Sequence, residues 1–190
     1  MSSTSTSKIG GRLRLSLSRL PSEKEVYFRE SSFIVQYGIE KLPSPAKIRS
    51  LQKVSGSGDP PPIRFPEIGL LVKYGHGISI AEGQCLWAIQ QFLRNNVPVP
   101  EIYGWREDGD ETFIYMELID GDTLQERWTS LSSVDRVRLC EELREIIMSL
   151  RRLEQSPGEK FIGMYRQVVI LSSKSVVETF SRTGGWPATL

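Results

Sequence analysis

Apolar runs between positions 63 and 119 predict the strands of a β-sheet. The segment IRFPEIGLLVKYG (63–75) predicts two short strands, the second of them buried. VPVPEIYGW leads into a further strand, and REDGDE predicts a hairpin turn around Asp108-Gly109. TFIYMELI (112–119) is then the returning strand. These strands predict an antiparallel sheet.

One helical pattern precedes these strands in the sequence, and another lies between the second and third of them. LPSPAKIRSLQKV (42–54) begins like a helix, with Ser44 as its cap and proline at the first helical position. SIAEGQCLWAIQQFLRNN (79–96) predicts a helix that opens with a capping box from Ser79 to Glu82. The sequence therefore predicts an α+β fold.

Two more helices are predicted after the hairpin. DGDTLQERW predicts a turn and a short helix capped by Asp122. SSVDRVRLCEELREIIMSLRRLE (132–154) predicts a long amphipathic helix. Its apolar stripe has spacings of three and four: Leu139, Leu143, Ile146, Leu150 and Leu153.

Lys73 lies at the end of the buried strand, where an ammonium group needs a partner of opposite charge. Glu82 precedes Leu86, Ile89 and Leu93 at intervals of 4, 7 and 11 residues, so its carboxylate shares their core-facing stripe. A capping box alone would explain the glutamate but leaves the lysine unexplained. We therefore predict an ion pair between Lys73 and Glu82.

Composition narrows the classes of protein further. The 190 residues are 39% hydrophobic and 25% charged with a formal net charge of +1, which is typical of soluble globular proteins. That balance gives no electrostatic reason to expect nucleic acid or a membrane surface as a partner. Cys85 and Cys140 are predicted to be free thiols in a reducing compartment, and we expect a cytoplasmic protein.

The N-terminal third has little periodicity. Residues 1–22 are rich in serine and contain basic residues but no acid, which is typical of a disordered tail; a mitochondrial transit peptide is the alternative. Residues 55–62, SGSGDPPP, predict a linker. A phosphate-binding glycine loop is the other interpretation, but no strand–loop–helix pattern surrounds it.

Several motifs in one order resemble the aminoglycoside phosphotransferase family, most closely its filamentous-fungal members. They are LLVKYG, ISIAEGQCLWAIQQ, NVPVPEIYGW, FIYMELIDGDTLQERW and CEELREIIMSLRRLEQSP followed by FIG, spanning about Ile63 to Gly163. The resemblance implies a protein-kinase-like fold and transfer of the terminal phosphate of ATP to the hydroxyl of a small molecule. Which molecule accepts the phosphate is not implied.

Site residues follow from this resemblance. Lys73 matches the lysine that holds the phosphates of ATP, and Glu82 matches its partner on the next helix. Glu117, Leu118 and Ile119 match the linker whose backbone meets the adenine edge. The implied domains are a tail (1–22), an extension with linker (23–62), a kinase-like N-lobe and hinge (63–119), the start of a C-lobe (120–163) and a divergent tail (164–190).

The second lobe of the family has no counterpart here. Its catalytic loop carries a histidine, an aspartate and an asparagine, and a later aspartate ligates magnesium. The single histidine, His76, is predicted to be an exposed turn residue, and the stretch after Gly163 contains one acid, Glu178. Mg²⁺ is thus expected only with the missing lobe. A shifted reading frame, a retained intron or a mispredicted gene end would each give such a tail.

Three interpretations follow. The first is a small-molecule kinase represented by a truncated chain that is inactive alone and binds ATP weakly or not at all. The second is a non-catalytic kinase-like module that binds a protein partner, or itself, through helix 132–154, whose apolar stripe would be exposed without a second lobe. The third is an α+β domain in which Lys73 and Glu82 are purely structural.

Overall fold

A five-stranded antiparallel sheet forms the centre of the molecule in the computed structural model, which describes residues 13–15, 19–52 and 60–155. The strand order in this sheet is β2-β5-β6-β4-β3, and β1 and β7 form a separate parallel pair. The strands are β1 (Leu13–Leu15), β2 (Glu25–Tyr27), β3 (Ile63–Phe65), β4 (Leu70–Gly75), β5 (Ile102–Asp108), β6 (Glu111–Glu117) and β7 (Leu153–Gln155).

Helices cover both faces of the sheet. The helices are α1 (Ser32–Tyr37), α2 (Pro45–Leu51), α3 (Ile80–Leu93), α4 (Leu124–Arg127) and α5 (Ser133–Leu150). Phe33 of α1 and Ile48 of α2 pack on one face, against Val72 and Tyr115. Leu86 of α3 packs on the other face, in the cluster that contains Trp105, Ile114 and Met116. Because both faces are covered, β4 and β6 have apolar side chains on both sides, as their continuous apolar sequences predicted.

The hairpin and the strand pair around β4 are confirmed. β5 and β6 pair antiparallel up to Asp108 and Glu111, and Gly109 in the turn has a φ of 68°. Glycine adopts this left-handed conformation without steric cost. β3 and β4 also pair antiparallel, with a short 3₁₀ turn at Pro66–Ile68 between them. The α+β prediction is therefore confirmed.

The folded unit begins earlier than the predicted boundary at 63. Within the predicted extension 23–62, β2 joins the sheet beside β5, and α1 and α2 pack on it. Within the predicted tail 1–22, β1 pairs with β7, and Leu13 and Leu20 are buried against residues of α3. These contacts could not be predicted from the sequence, because each involves only one or two apolar residues. Such isolated residues in a serine-rich segment form no periodic pattern. The remainder of 1–22, most of 55–62 and all of 164–190 lie outside the described residues.

Of three predicted helix ends, one is confirmed and two need correction. Ser44 caps α2, accepting a hydrogen bond from the Lys47 N–H at 3.3 Å, as predicted. The cap of α4 is Thr123 rather than Asp122, because Thr123 forms a reciprocal capping box with Glu126. α5 ends at Leu150 rather than at 154, since residues 151–152 form a turn and β7 begins at Leu153.

The apolar stripe of α5 is only partly exposed. Ile146, Leu150 and Leu153 pack against the cluster of Leu13, Ile89, Leu93 and Val97, so the predicted exposure of the whole stripe is wrong. The solvent-facing apolar residues are on another part of the helix and include Val134, Val137 and Met148. In the part of the chain that the structure describes, no helix is long and apolar enough to span a bilayer.

Arg49 ties α2 to the β5–β6 hairpin. Its guanidinium donates to the carboxylates of Glu111 and Asp108, each at 2.6 Å, and lies over the ring of Phe113. We expect Arg49→Met to lower the free energy of unfolding by about 1 kcal/mol at low salt. Urea denaturation measures this, with Arg127→Met as the control because Arg127 makes one loose exposed pair. If Arg49→Met and Arg127→Met lower the free energy of unfolding equally, Arg49 does not stabilise the packing of α2 on the hairpin.

Candidate functional site

Lys73 lies near the centre of the sheet. It is on β4, between β3 and β6, and opposite Ile114. Its neighbour two residues earlier, Leu71, belongs to the cluster on the α3 face of the sheet. Because alternate strand residues point to the same face, the lysine side chain extends toward α3, and only 13% of it is exposed.

Glu82 meets this lysine from the first turn of α3. The Lys73 Nζ donates to Glu82 Oε2 at 2.5 Å, and the glutamate side chain is 25% exposed. The predicted ion pair is therefore present. The predicted capping box is wrong: Ser79 makes no side-chain cap, and the Glu82 N–H bonds to the Ser79 carbonyl instead. The Lys73 ammonium is largely removed from water and therefore needs the Glu82 carboxylate as a partner. The N–H groups at the start of α3 need it less, because water can accept their hydrogen bonds.

A glycine next to Glu82 sets how closely α3 approaches the sheet. A Cβ atom on Gly83 would lie 2.6 Å from Cε3 of Trp105, which is fully buried on β5. The indole Nε1 donates to the Glu23 carbonyl at 3.0 Å, so the ring is held in place. Gly83 was not identified as a site residue from the sequence, although an isolated glycine inside a helical pattern often marks such a close contact.

The three predicted adenine-side residues lie at and just after the end of β6. Glu117 lies opposite Leu70, three residues along β4 from Lys73, which corresponds to about 10 Å. The Glu117 N–H donates to the Glu101 carbonyl, and the Leu118 N–H donates to the Gly69 carbonyl. Ile119 is exposed, and no described residue accepts a hydrogen bond from its N–H. Among the predicted residues, only Ile119 thus presents an uncommitted amide.

Leu71 and Met116 fill the space between these two groups. They lie opposite each other on β4 and β6, and both belong to the cluster on the α3 face. Leu71 is half-buried and Met116 is buried. The arrangement is an apolar surface with a cation at one end and a backbone donor at the other.

Cys85 lies one turn after Glu82 and is predicted to be unreactive. Burial, with a smaller contribution from the Glu82 carboxylate, raises the pKa of its thiol to about 12. At pH 8 the nucleophilic thiolate is therefore scarce. We expect native protein at this pH to react with one equivalent of a maleimide, at the exposed Cys140, and unfolded protein with two. Fast native labelling in a Cys140→Ser variant would contradict this assignment.

His76 and the acidic residues complete the survey of titratable groups. His76 is exposed in the turn after β4, as predicted, with Nδ1 3.2 Å from Oδ2 of Asp110. Within the described ranges, no group of three or more His, Cys, Asp or Glu residues is placed to hold a metal ion.

Comparisons of the chain with protein-family models, with curated proteins and with solved structures found no match. The function is therefore inferred from the geometry around Lys73.

Proposed function

We propose that this chain is a kinase-like module, similar to the N-lobe of aminoglycoside phosphotransferases, that binds ATP beside Lys73. The observation that carries the proposal is the 2.5 Å contact between Lys73 Nζ and Glu82 Oε2 on the α3 face of the sheet. In protein kinases a strand lysine and a helix glutamate form this pair, and the lysine thereby holds the phosphates.

The surroundings of the pair match the parts of ATP. The ammonium of Lys73 suits the phosphates, since it is a compact cation at a fixed position. Leu71, which is partly exposed and packs beside buried Met116, provides apolar surface for the flat adenine ring. The Ile119 N–H, which no described residue engages, is a donor for the adenine edge.

Binding is proposed here, and phosphoryl transfer only for the complete family. The histidine–aspartate loop and the magnesium aspartate that the reaction requires have no counterpart in this sequence. In the complete family the phosphoryl group would pass to a small-molecule hydroxyl.

A second candidate is a non-catalytic interaction module. Exposed Val134, Val137 and Met148 on α5 favour it, because exposed apolar side chains on a helix often contact another chain. Under this function the Lys73–Glu82 pair would only hold α3 on the sheet.

An NMR titration of ¹⁵N-labelled chain with MgATP locates binding. We expect chemical-shift changes concentrated at Leu71, Lys73, Glu82 and residues 117–119. The same titration with inorganic triphosphate separates phosphate contacts from adenine contacts, because it should leave 117–119 unchanged. No change, or changes confined to α5, would contradict nucleotide binding at Lys73.

A further inference from the structure

A separate cavity of about 390 Å³ opens at the C-terminal end of α3. Trp87 and Arg94 line it from the helix, Phe28 lines it from the segment after β2, and further walls come from the stretch between α3 and β5. Neither Lys73 nor Glu82 lines it. Trp87 is five residues beyond Glu82, or about 7.5 Å along the helix axis, and Arg94 is about 18 Å beyond it.

Negative charge dominates this cavity. Its lining includes three carboxylates, of Glu30, Glu101 and Glu117, against one guanidinium, of Arg94. The protein uses only part of their hydrogen-bonding capacity. Glu117 accepts one bond, from the Glu101 N–H, and the exposed Glu30 accepts none from the described residues. A carboxylate offers about four acceptor positions, so the cavity has a surplus of acceptors that only a donor can satisfy.

Ser31 provides an independent sign of a ligand. It is the N-cap residue of α1, yet its hydroxyl makes no capping bond. The Glu101 carboxylate accepts hydrogen bonds from the next residue, through the Ser32 N–H and the Ser32 hydroxyl. Ser31 is one of the residues that line the cavity, is only 3% exposed, and its Oγ has no hydrogen-bond partner among the described residues. A buried hydroxyl without a partner is costly, and a polar group bound in the cavity would offset that cost.

We infer that this cavity is a second binding site, for a small organic amine that is protonated at neutral pH. Ammonium groups match the surplus of carboxylate acceptors, and the indole of Trp87 can attract a cation to its face. Phe28 and Ile102 form an apolar part of the cavity wall, which suits a ligand with a hydrocarbon chain. The cavity shares Glu117 with the proposed nucleotide site but includes neither Lys73 nor Glu82.

Three six-carbon probes of different charge test this inference. The ¹⁵N-labelled full chain is titrated with 1,6-diaminohexane, with neutral 1,6-hexanediol and with anionic adipate, and NMR shifts give location and affinity. We expect the diamine alone to bind, with shifts at 28–31, 87–94 and 97–102 and none at Lys73. Glu30→Gln should weaken binding about two- to fivefold, since Glu30 is exposed. Glu67→Gln, an exposed glutamate outside the cavity, should leave it unchanged.

A variant that cannot disturb an existing hydrogen bond completes the test. Ser31→Ala removes a hydroxyl with no partner in the described protein, so the fold should persist while diamine affinity falls. Equal binding of all three probes, or no loss in both Glu30→Gln and Ser31→Ala, would overturn the inference. Displacement of the diamine by Mg²⁺ or Ca²⁺ at equal concentration would also overturn it, in favour of a metal site. Because ATP is absent throughout, failure here leaves the nucleotide proposal standing.

Discussion

Gly83→Val is expected to lower the free energy of unfolding by about 3 kcal/mol, at the upper end of overpacking costs. The first atom added to Gly83 would lie 2.6 Å from Cε3 of Trp105. The indole cannot retreat easily, because it is fully buried and its Nε1 donates to the Glu23 carbonyl. α3 must therefore move away from β5 and carry Glu82 away from Lys73.

Urea denaturation followed by circular dichroism measures the effect. Gln91→Val is the matched control, because it places the same branched residue at an exposed position of α3 and should cost less than about 0.5 kcal/mol. Gly83→Ala should fall between the two, since alanine favours a helix over glycine by about 1 kcal/mol and offsets part of the clash. A Gly83→Val variant as stable as the control would mean that α3 does not lie this close to Trp105.

The second large effect is expected from separating Lys73 and Glu82. Lys73→Met or Glu82→Gln leaves one half-buried partner unpaired, and each should lower the free energy of unfolding by about 2 kcal/mol. The double variant should lose clearly less than the sum, because no unpaired charge remains. The difference between the summed losses of the two single variants and the loss of the double variant is the coupling energy between the two side chains.

Arg138 and Glu142 form the matched control for this double-mutant cycle. They are an exposed pair on successive turns of α5, with Arg138 Nε 3.4 Å from Glu142 Oε1. Their coupling should not exceed about 0.5 kcal/mol. A coupling at Lys73 and Glu82 as small as the control value would show that the 2.5 Å contact contributes little to stability.

Long apolar runs made the centre of this fold predictable. β4 and β6 were identified because their continuous apolar sequences suit strands covered on both faces, and the hairpin because Asp108-Gly109 is typical of such turns. The partner of Lys73 was also predictable, since a charge in an apolar run must be compensated and Glu82 was on the core-facing stripe.

What escaped prediction depends on single contacts. β1 and β2 have three residues each, too short for a periodic signal, and they become strands only because β7 and β5 offer edges. The end of α5 was placed too late because Leu153 continues the helical spacing, although it belongs to β7. The role of Gly83 depends on Trp105 Cε3, and that of Ser31 on a cavity whose other walls come from residues far along the chain, so no local pattern reveals either.

The affinity for MgATP, measured by isothermal titration calorimetry, tests the central claim that Lys73 and Glu82 form a nucleotide site. Wild-type chain should bind weakly, and Lys73→Met should bind about tenfold more weakly or worse, since losing one phosphate contact of about 1.4 kcal/mol corresponds to a factor of ten. Lys24→Met, at a lysine whose side chain is 84% exposed, should bind like wild type. No binding by wild-type chain, or equal binding by wild type and Lys73→Met, would contradict the claim and leave the ion pair a structural one.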